Sequence, residues 1–284
     1  MSAHEPPPTA GGWDDVFRVR VTEYLTFYEV VDGALLRRME PIELTCRRGG
    51  GGATRLVCLH SVTAASRFAD GLLGALDGYA DVLSLDLRGF GDSPRPTHDY
   101  TVDLWVQDVL TVLANTGFES AVLYGHGLGA CVALALAARG IGTGVAVSGV
   151  ALAPGEPAAL APLAELAERG DDLIGPLEEL TGADPEAGDL TPQIVSRCIR
   201  AWLGFDGLAL PARVAAPILV VSAAQDRVAG VDVIGGPAWL AAAAADARRV
   251  NLDGAHELPR LQPLAMARAL TEWLDEVEVR RRDE

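Results

Sequence analysis

Two side chains stand where proton-transfer chemistry could use them. Asp226 closes the apolar run in "APILVVSAAQDRV", and His256 lies in "RRVNLDGAHELP". Both runs read as strands that end in loops, and loops held by a rigid scaffold carry reactive groups more often than other segments. An imidazole titrates near neutral pH, and a carboxylate beside it orients the ring, so such a pair is a competent general base. The competing reading is two unrelated loop residues. A third stretch, "AVLYGHGLGACVALALAARG", passes from a buried strand into an Ala-rich helix through Gly125-His126-Gly127-Leu128-Gly129. Its central residue, Gly127, has no side chain to offer.

Other chemistry-bearing residues are sparser. His60 and Ser61 follow the strand candidate "RLVCLH", and Trp202 and Phe205 in "RAWLGFDG" could line an apolar pocket or simply pack. Cys131 lies on the helix after Gly127, where a small thiol normally packs. His126 is expected to support its turn, and His98 sits in a Pro-rich loop. Asp86, Arg88 and Asp92 read as structural loop residues, and Glu156 as a second choice of acid. The four cysteines are scattered without a CxxC or Cys/His cluster, so reduced thiols are expected, with no metal and no organic cofactor.

The elements that must position these residues alternate. Strand candidates are "ALLRRME", "IELTCRR", "RLVCLH", "DVLSLDL", "SAVLYG", "GVAVSGVALAP", "APILVVSA" and "RRVNL", with a helical stretch over 102–116 and the Ala-rich helix between them. Such alternation indicates a parallel sheet wrapped by helices. Residues 1–12 are expected to be a disordered tail. In 13–33 the spacing of Phe17, Val21, Tyr24, Tyr28 and Val31 predicts a helix covering a pocket or a homodimer interface. The alternation in "FRVRVT" favours a strand instead. Residues 155–212, rich in Pro, Ala and Glu, lack strands and read as a helical cap inserted between core segments 34–154 and 213–284.

A chain of 284 residues with 49% hydrophobic and 22% charged residues can bury a large core. Its net charge of −16 argues against a nucleic-acid partner, which it would repel. Neither a membrane-spanning run nor a signal peptide is evident, since "ACVALALAA" stops at Arg139 and "MSAHEPPPTAGG" is polar. A cytoplasmic protein acting on a small molecule is the expectation.

From Ala34 onward the sequence resembles the α/β-hydrolase superfamily. The motifs that carry the match are "LVCLHS", "LDLRGFGDS", "GHGLG" at the strand-to-helix elbow, and Asp226 and His256 in the order nucleophile, acid, histidine. The resemblance implies a mostly parallel eight-stranded sheet flanked by helices with an inserted cap. It also implies backbone oxyanion donors from Val62 and Leu128, each worth ~2.7–4 kcal/mol in the transition state. Two positions depart from the pattern. Gly127 occupies the place of the nucleophilic serine, and loss of that group costs roughly 10⁶ in turnover. Ser61 stands where these enzymes usually have glycine; hydroxynitrile lyases of this fold also carry a small hydroxyl residue there.

Three readings follow. The first is an enzyme on a small, mostly apolar molecule, using His256 and Asp226 without an elbow serine for lyase, cyclase, decarboxylase, cofactor-free oxygenase or water-addition chemistry. Ser61 would help by hydrogen bonding or, alternatively, act as nucleophile, with His60, Trp202 and Phe205 lining the pocket. The second is a non-catalytic ligand-binding pseudoenzyme. The third is a serine hydrolase carrying a serine-to-glycine change at Gly127.

Overall fold

Short runs rich in Val and Leu become the strands of one eight-stranded sheet, ordered β1-β2-β4-β3-β5-β6-β7-β8 in a computed structural model. The structure describes residues 12–31, 34–96, 100–152, 157–182, 191–228 and 234–283, so His98, Glu156 and residues 1–11 of the expected tail lie outside it. Strands β3 (Thr54–Leu59), β4 (Ala80–Leu85), β5 (Val122–His126), β6 (Gly144–Ser148), β7 (Ile218–Ala223) and β8 (Ala247–Leu252) are parallel. Residues of β5, β6 and β7 are buried on both faces, which is why these segments are continuously apolar rather than alternating.

Helices cover both faces. One core joins Val57 and Leu59 of β3 to Trp105 of α2 (Val102–Thr116), Val132 of α3 (Leu128–Ala137) and Leu240 of α7 (Pro237–Ala243). The other joins Leu56 and Cys58 to Leu72 of α1 (Asp70–Ala75), Leu258 of α8 (Leu258–Leu261) and Trp273 of α9 (Pro263–Asp283). Between β6 and β7 lie α4 (Pro157–Ala167), α5 (Ile174–Thr181) and α6 (Pro192–Leu203), with no strand among the described residues. No described helix is long and apolar enough to cross a membrane.

The helix expected over 13–33 is not formed. Asp15–Val31 is strand β1, paired antiparallel with β2 (Ala34–Gly49). Alternation won over the four-and-three spacing: Val19 and Val21 are buried while Arg18 and Arg20 are exposed, a period of two. The two short strands expected over 34–49 are likewise one. Pro41 sits opposite Tyr24, where the register shifts between Arg20 and Tyr24, and such an irregularity tolerates a residue without an N–H.

The topology fixes where a site can form. The chain leaves β3 towards β4 on one side, and leaves β5 towards β6 on the other. The winding reverses between β3 and β5, and open sheets of this kind place their ligand sites beyond the carboxyl ends of the strands at such a point. Leu59 pairs with Gly125, so Ser61 and Gly127 each lie two residues past paired positions and emerge side by side. Ala223 pairs with Leu252, bringing the loops of Asp226 and His256 out at the same end.

Candidate active site

Asp226 and His256 meet. His256 Nδ1 lies 3.0 Å from Asp226 Oδ2 and 3.1 Å from Oδ1, with both side chains almost wholly buried. A carboxylate only accepts, so Nδ1 carries the proton and Nε2 is left for other work. Asp226 is itself held by the Val228 N–H at 2.8 Å. Burial opposes a charge on His256, but the Asp226 carboxylate, supported by Glu257, outweighs it and raises the imidazole above its ordinary 6.5.

Gly127 forms the turn between β5 and α3 with φ 54° and ψ −117°, a conformation side chains adopt only at a cost. Its N–H donates to the Ser148 carbonyl at 2.9 Å. The neighbouring loop fills the space a side chain here would need. An ideal Cβ would lie 2.1 Å from Ser61 Oγ, 2.7 Å from Ser61 Cβ and 3.5 Å from Trp202 Cη2. Trp202 is anchored over the elbow by its indole N–H, which donates to the Ala151 carbonyl at 3.0 Å. The Leu128 N–H belongs to the first turn of α3, where no intrahelical carbonyl reaches it.

His60 sets the loop that carries Ser61. The Leu87 N–H donates to its Nε2 at 2.9 Å, so Nδ1 is the protonated nitrogen and donates to the Ser61 carbonyl at 2.7 Å. The Ala64 N–H reaches the same carbonyl at 3.3 Å. Fixing this carbonyl fixes the plane of the Ser61–Val62 peptide, and hence the direction of the Val62 N–H. Burial lowers the pKa of His60, keeping it neutral in this bridging role. With both nitrogens committed, His60 braces the loop.

A buried polar chain runs behind the pair. Tyr124 Oη and Ser148 Oγ are 2.8 Å apart, His126 Nδ1 lies 3.0 Å from that Oγ, and His126 Nε2 faces Glu257 Oε1 at 3.7 Å. The Thr63 hydroxyl donates to Glu257 Oε1 at 2.6 Å, tying the Ser61 loop to the His256 loop. Burial would raise the pKa of Glu257, yet His126, His256 and Thr63 together bring it down to about 2, so it is a carboxylate. Gly149, at φ 56°, makes room for both imidazoles: a Cβ there would meet His256 Cε1 at 2.6 Å and His126 Cε1 at 2.9 Å.

A family model described as "Alpha/beta hydrolase family" matches residues 56–269, three quarters of the chain and all the loops just described. The chain belongs to the alpha/beta hydrolase family. Among solved structures it is similar to the enol-lactonase from Burkholderia xenovorans LB400, with TM-score 0.72 and 25% identity over 88% of this chain and 100% of that one. A thermophilic esterase from Thermogutta terrifontis aligns with TM-score 0.72 at 21% identity, over 92% of this chain and 99% of that one. Curated relatives match only locally. Mouse epoxide hydrolase 4 is 38% identical over 58 residues, 20% of this chain and 16% of its own length. The Bacillus subtilis AB hydrolase superfamily protein YisY is 36% identical over 63 residues, 22% of this chain and 24% of its own.

In this family member the other singled-out residues make contacts of their own. Asp86 accepts from the Ser66 and Asp92 N–H groups at 2.6 and 2.9 Å, and Arg88 forms a buried two-point ion pair with Asp108 at 2.6 and 2.9 Å. Asp92 binds Arg47 at the surface. The Cys131 thiol faces the Ala151 carbonyl at 3.5 Å, and burial pushes its pKa up to about 12, which suits packing rather than attack. Phe205 is half-buried beside Gly207, and its N–H donates to the Trp202 carbonyl at 3.0 Å. His126, His256 and Glu257 present potential metal-ligand atoms within 4.8 Å of one another. A tetrahedral zinc site would draw its ligand atoms to ~3.3 Å separations. Glu257, Thr63 and Ser148 were not foreseen from sequence; the one local signal was a charge directly beside His256.

Proposed function

We propose that this chain is an enzyme that acts on a small, mostly apolar organic molecule, with His256 as general base and acid, Asp226 as its orienting partner and no nucleophile at the elbow. The observation that carries the reading is the 3.0 Å contact between His256 Nδ1 and Asp226 beside an elbow occupied by glycine. An imidazole so held can take a proton from a carbon acid, a hydroxyl or a water, and the Val62 and Leu128 N–H groups would stabilise the resulting enolate or alkoxide. Family relatives that are hydrolases support an enzyme. His256→Ala should abolish turnover while leaving ligand affinity within a few-fold, measured by steady-state kinetics and calorimetry on the same substrate. Undiminished turnover would overturn the reading.

The 2.7 Å between Ser61 Cβ and the Cβ position at Gly127 also bears on the alternatives. A native serine at 127 would collide with Ser61, so the pair favours a glycine that belongs to this protein over a substituted nucleophile. A non-catalytic binding role draws its support from the closure of the elbow by Trp202; retained binding with no conversion of any bound ligand would mark it.

A further inference from the structure

We infer that the Ser61 hydroxyl has taken the place of the missing elbow side chain and is the nucleophile that His256 activates, acting on short-chain carboxylic esters or lactones. The inference rests on the proton-transfer role of His256 and Asp226 proposed above, and gives that pair a protein hydroxyl to act on.

Four observations converge on it. Ser61 Oγ lies 2.1 Å from where a Cβ on residue 127 would begin, inside the volume that an elbow serine would use. The hydroxyl is completely buried and has no hydrogen-bond partner, whereas buried hydroxyls are ordinarily satisfied. Its position is built rather than incidental: the Ser61 carbonyl is clamped by His60 Nδ1 and the Ala64 N–H, and Thr63–Glu257 joins its loop to that of His256. Finally, Val62 follows Ser61 directly. The residue after a nucleophile is one that supplies an oxyanion-hole N–H, and Leu128 opens a helix on the neighbouring loop.

The step balances without an outside reagent. Ser61 Oγ attacks the acyl carbon as its proton passes to His256 Nε2, the tetrahedral oxyanion rests on the Val62 and Leu128 N–H groups, and the C–O bond to the alcohol breaks as His256 returns the proton to it. Water, deprotonated by His256, then releases the acid and restores the Ser61 hydroxyl. Glycine at 127 is required by this arrangement, since any side chain there would displace Ser61.

The test is covalent labelling of the full chain with a fluorophosphonate and with p-nitrophenyl acetate, followed by peptide mass spectrometry. It is run on wild type and on Trp202→Ala, which uncovers the elbow so that access does not limit the result. The expected result is a stoichiometric adduct on Ser61 in one or both proteins. The adduct should be lost in Ser61→Ala and slowed at least 100-fold in His256→Ala, each checked for a wild-type-like thermal melt. Ser61→Cys, of similar size, should regain labelling by iodoacetamide at residue 61 in a His256-dependent manner. No adduct on Ser61 in either protein, with His256-dependent turnover of another substrate intact, overturns the transposed nucleophile and leaves the proton-transfer reading standing. Labelling of Ser61 at full rate in His256→Ala overturns the proton-transfer reading instead.

Discussion

The contact between Ser61 and Gly127 predicts a measurable energetic coupling. Gly127→Ala places a Cβ 2.1 Å from Ser61 Oγ and 2.7 Å from Ser61 Cβ, on a backbone with φ 54° and ψ −117°. The backbone conformation alone costs a side chain ~1–3 kcal/mol. Forcing the Ser61 loop aside, against its clamp by His60 and Ala64, adds ~1–3 kcal/mol of overpacking. Gly127→Ala should therefore lower stability by roughly 2–6 kcal/mol. Ser61→Gly removes both offending atoms and leaves the backbone cost, so the same substitution in that background should cost only about 1–3 kcal/mol. Urea unfolding of wild type, the two single variants and the double variant closes the cycle, with the slope of free energy against urea checking that all four unfold alike. A coupling of ~1–3 kcal/mol is expected. Additivity to within ~0.5 kcal/mol would refute the claim that Ser61 fills the elbow.

Glu257→Gln should keep the bond from Thr63 but remove a negative charge facing His126 and His256, lowering the apparent pKa of His256-dependent turnover. Acid unfolding provides the companion measurement. Glu257 is held from its ordinary 4.5 down to about 2, so its stabilising contribution is complete above 4.5 and disappears as the pH falls through 2. At about 1.36 kcal/mol per pH unit this is on the order of 3 kcal/mol, which the Gln variant should lack.

How much of this was legible in the sequence depends on the range of the interactions involved. Asp226 and His256 could be singled out because each follows a strand at a place where the resemblance to the α/β-hydrolase superfamily implies an acid and a base, and the parallel sheet followed from the alternation of strand runs with helices. The edge of the sheet was harder. In 13–33 the same residues satisfy a helical spacing and, at Val19 and Val21, a strand alternation; pairing with 34–49 decided for the strand. The interlock of Ser61 with Gly127 depends on the pairing of Leu59 with Gly125, and no local pattern encodes that register. Glu257 is a related case. A charge next to His256 reads as solvent-exposed until Thr63 and His126, from two distant segments, are seen to enclose it.

The central claim is that His256, tuned by Asp226, moves the proton. The most direct measurement is the pH dependence of kcat/KM for a short-chain ester or enolisable ketone that the wild type turns over, repeated with Asp226→Asn. A base must be neutral to act, so wild-type activity should rise with pH through an apparent pKa above 6.5, the direction in which Asp226 holds the imidazole. Asp226→Asn leaves burial less opposed, and the midpoint should move down while the plateau falls by ~10²–10⁴. An unchanged midpoint and plateau in Asp226→Asn would contradict the account.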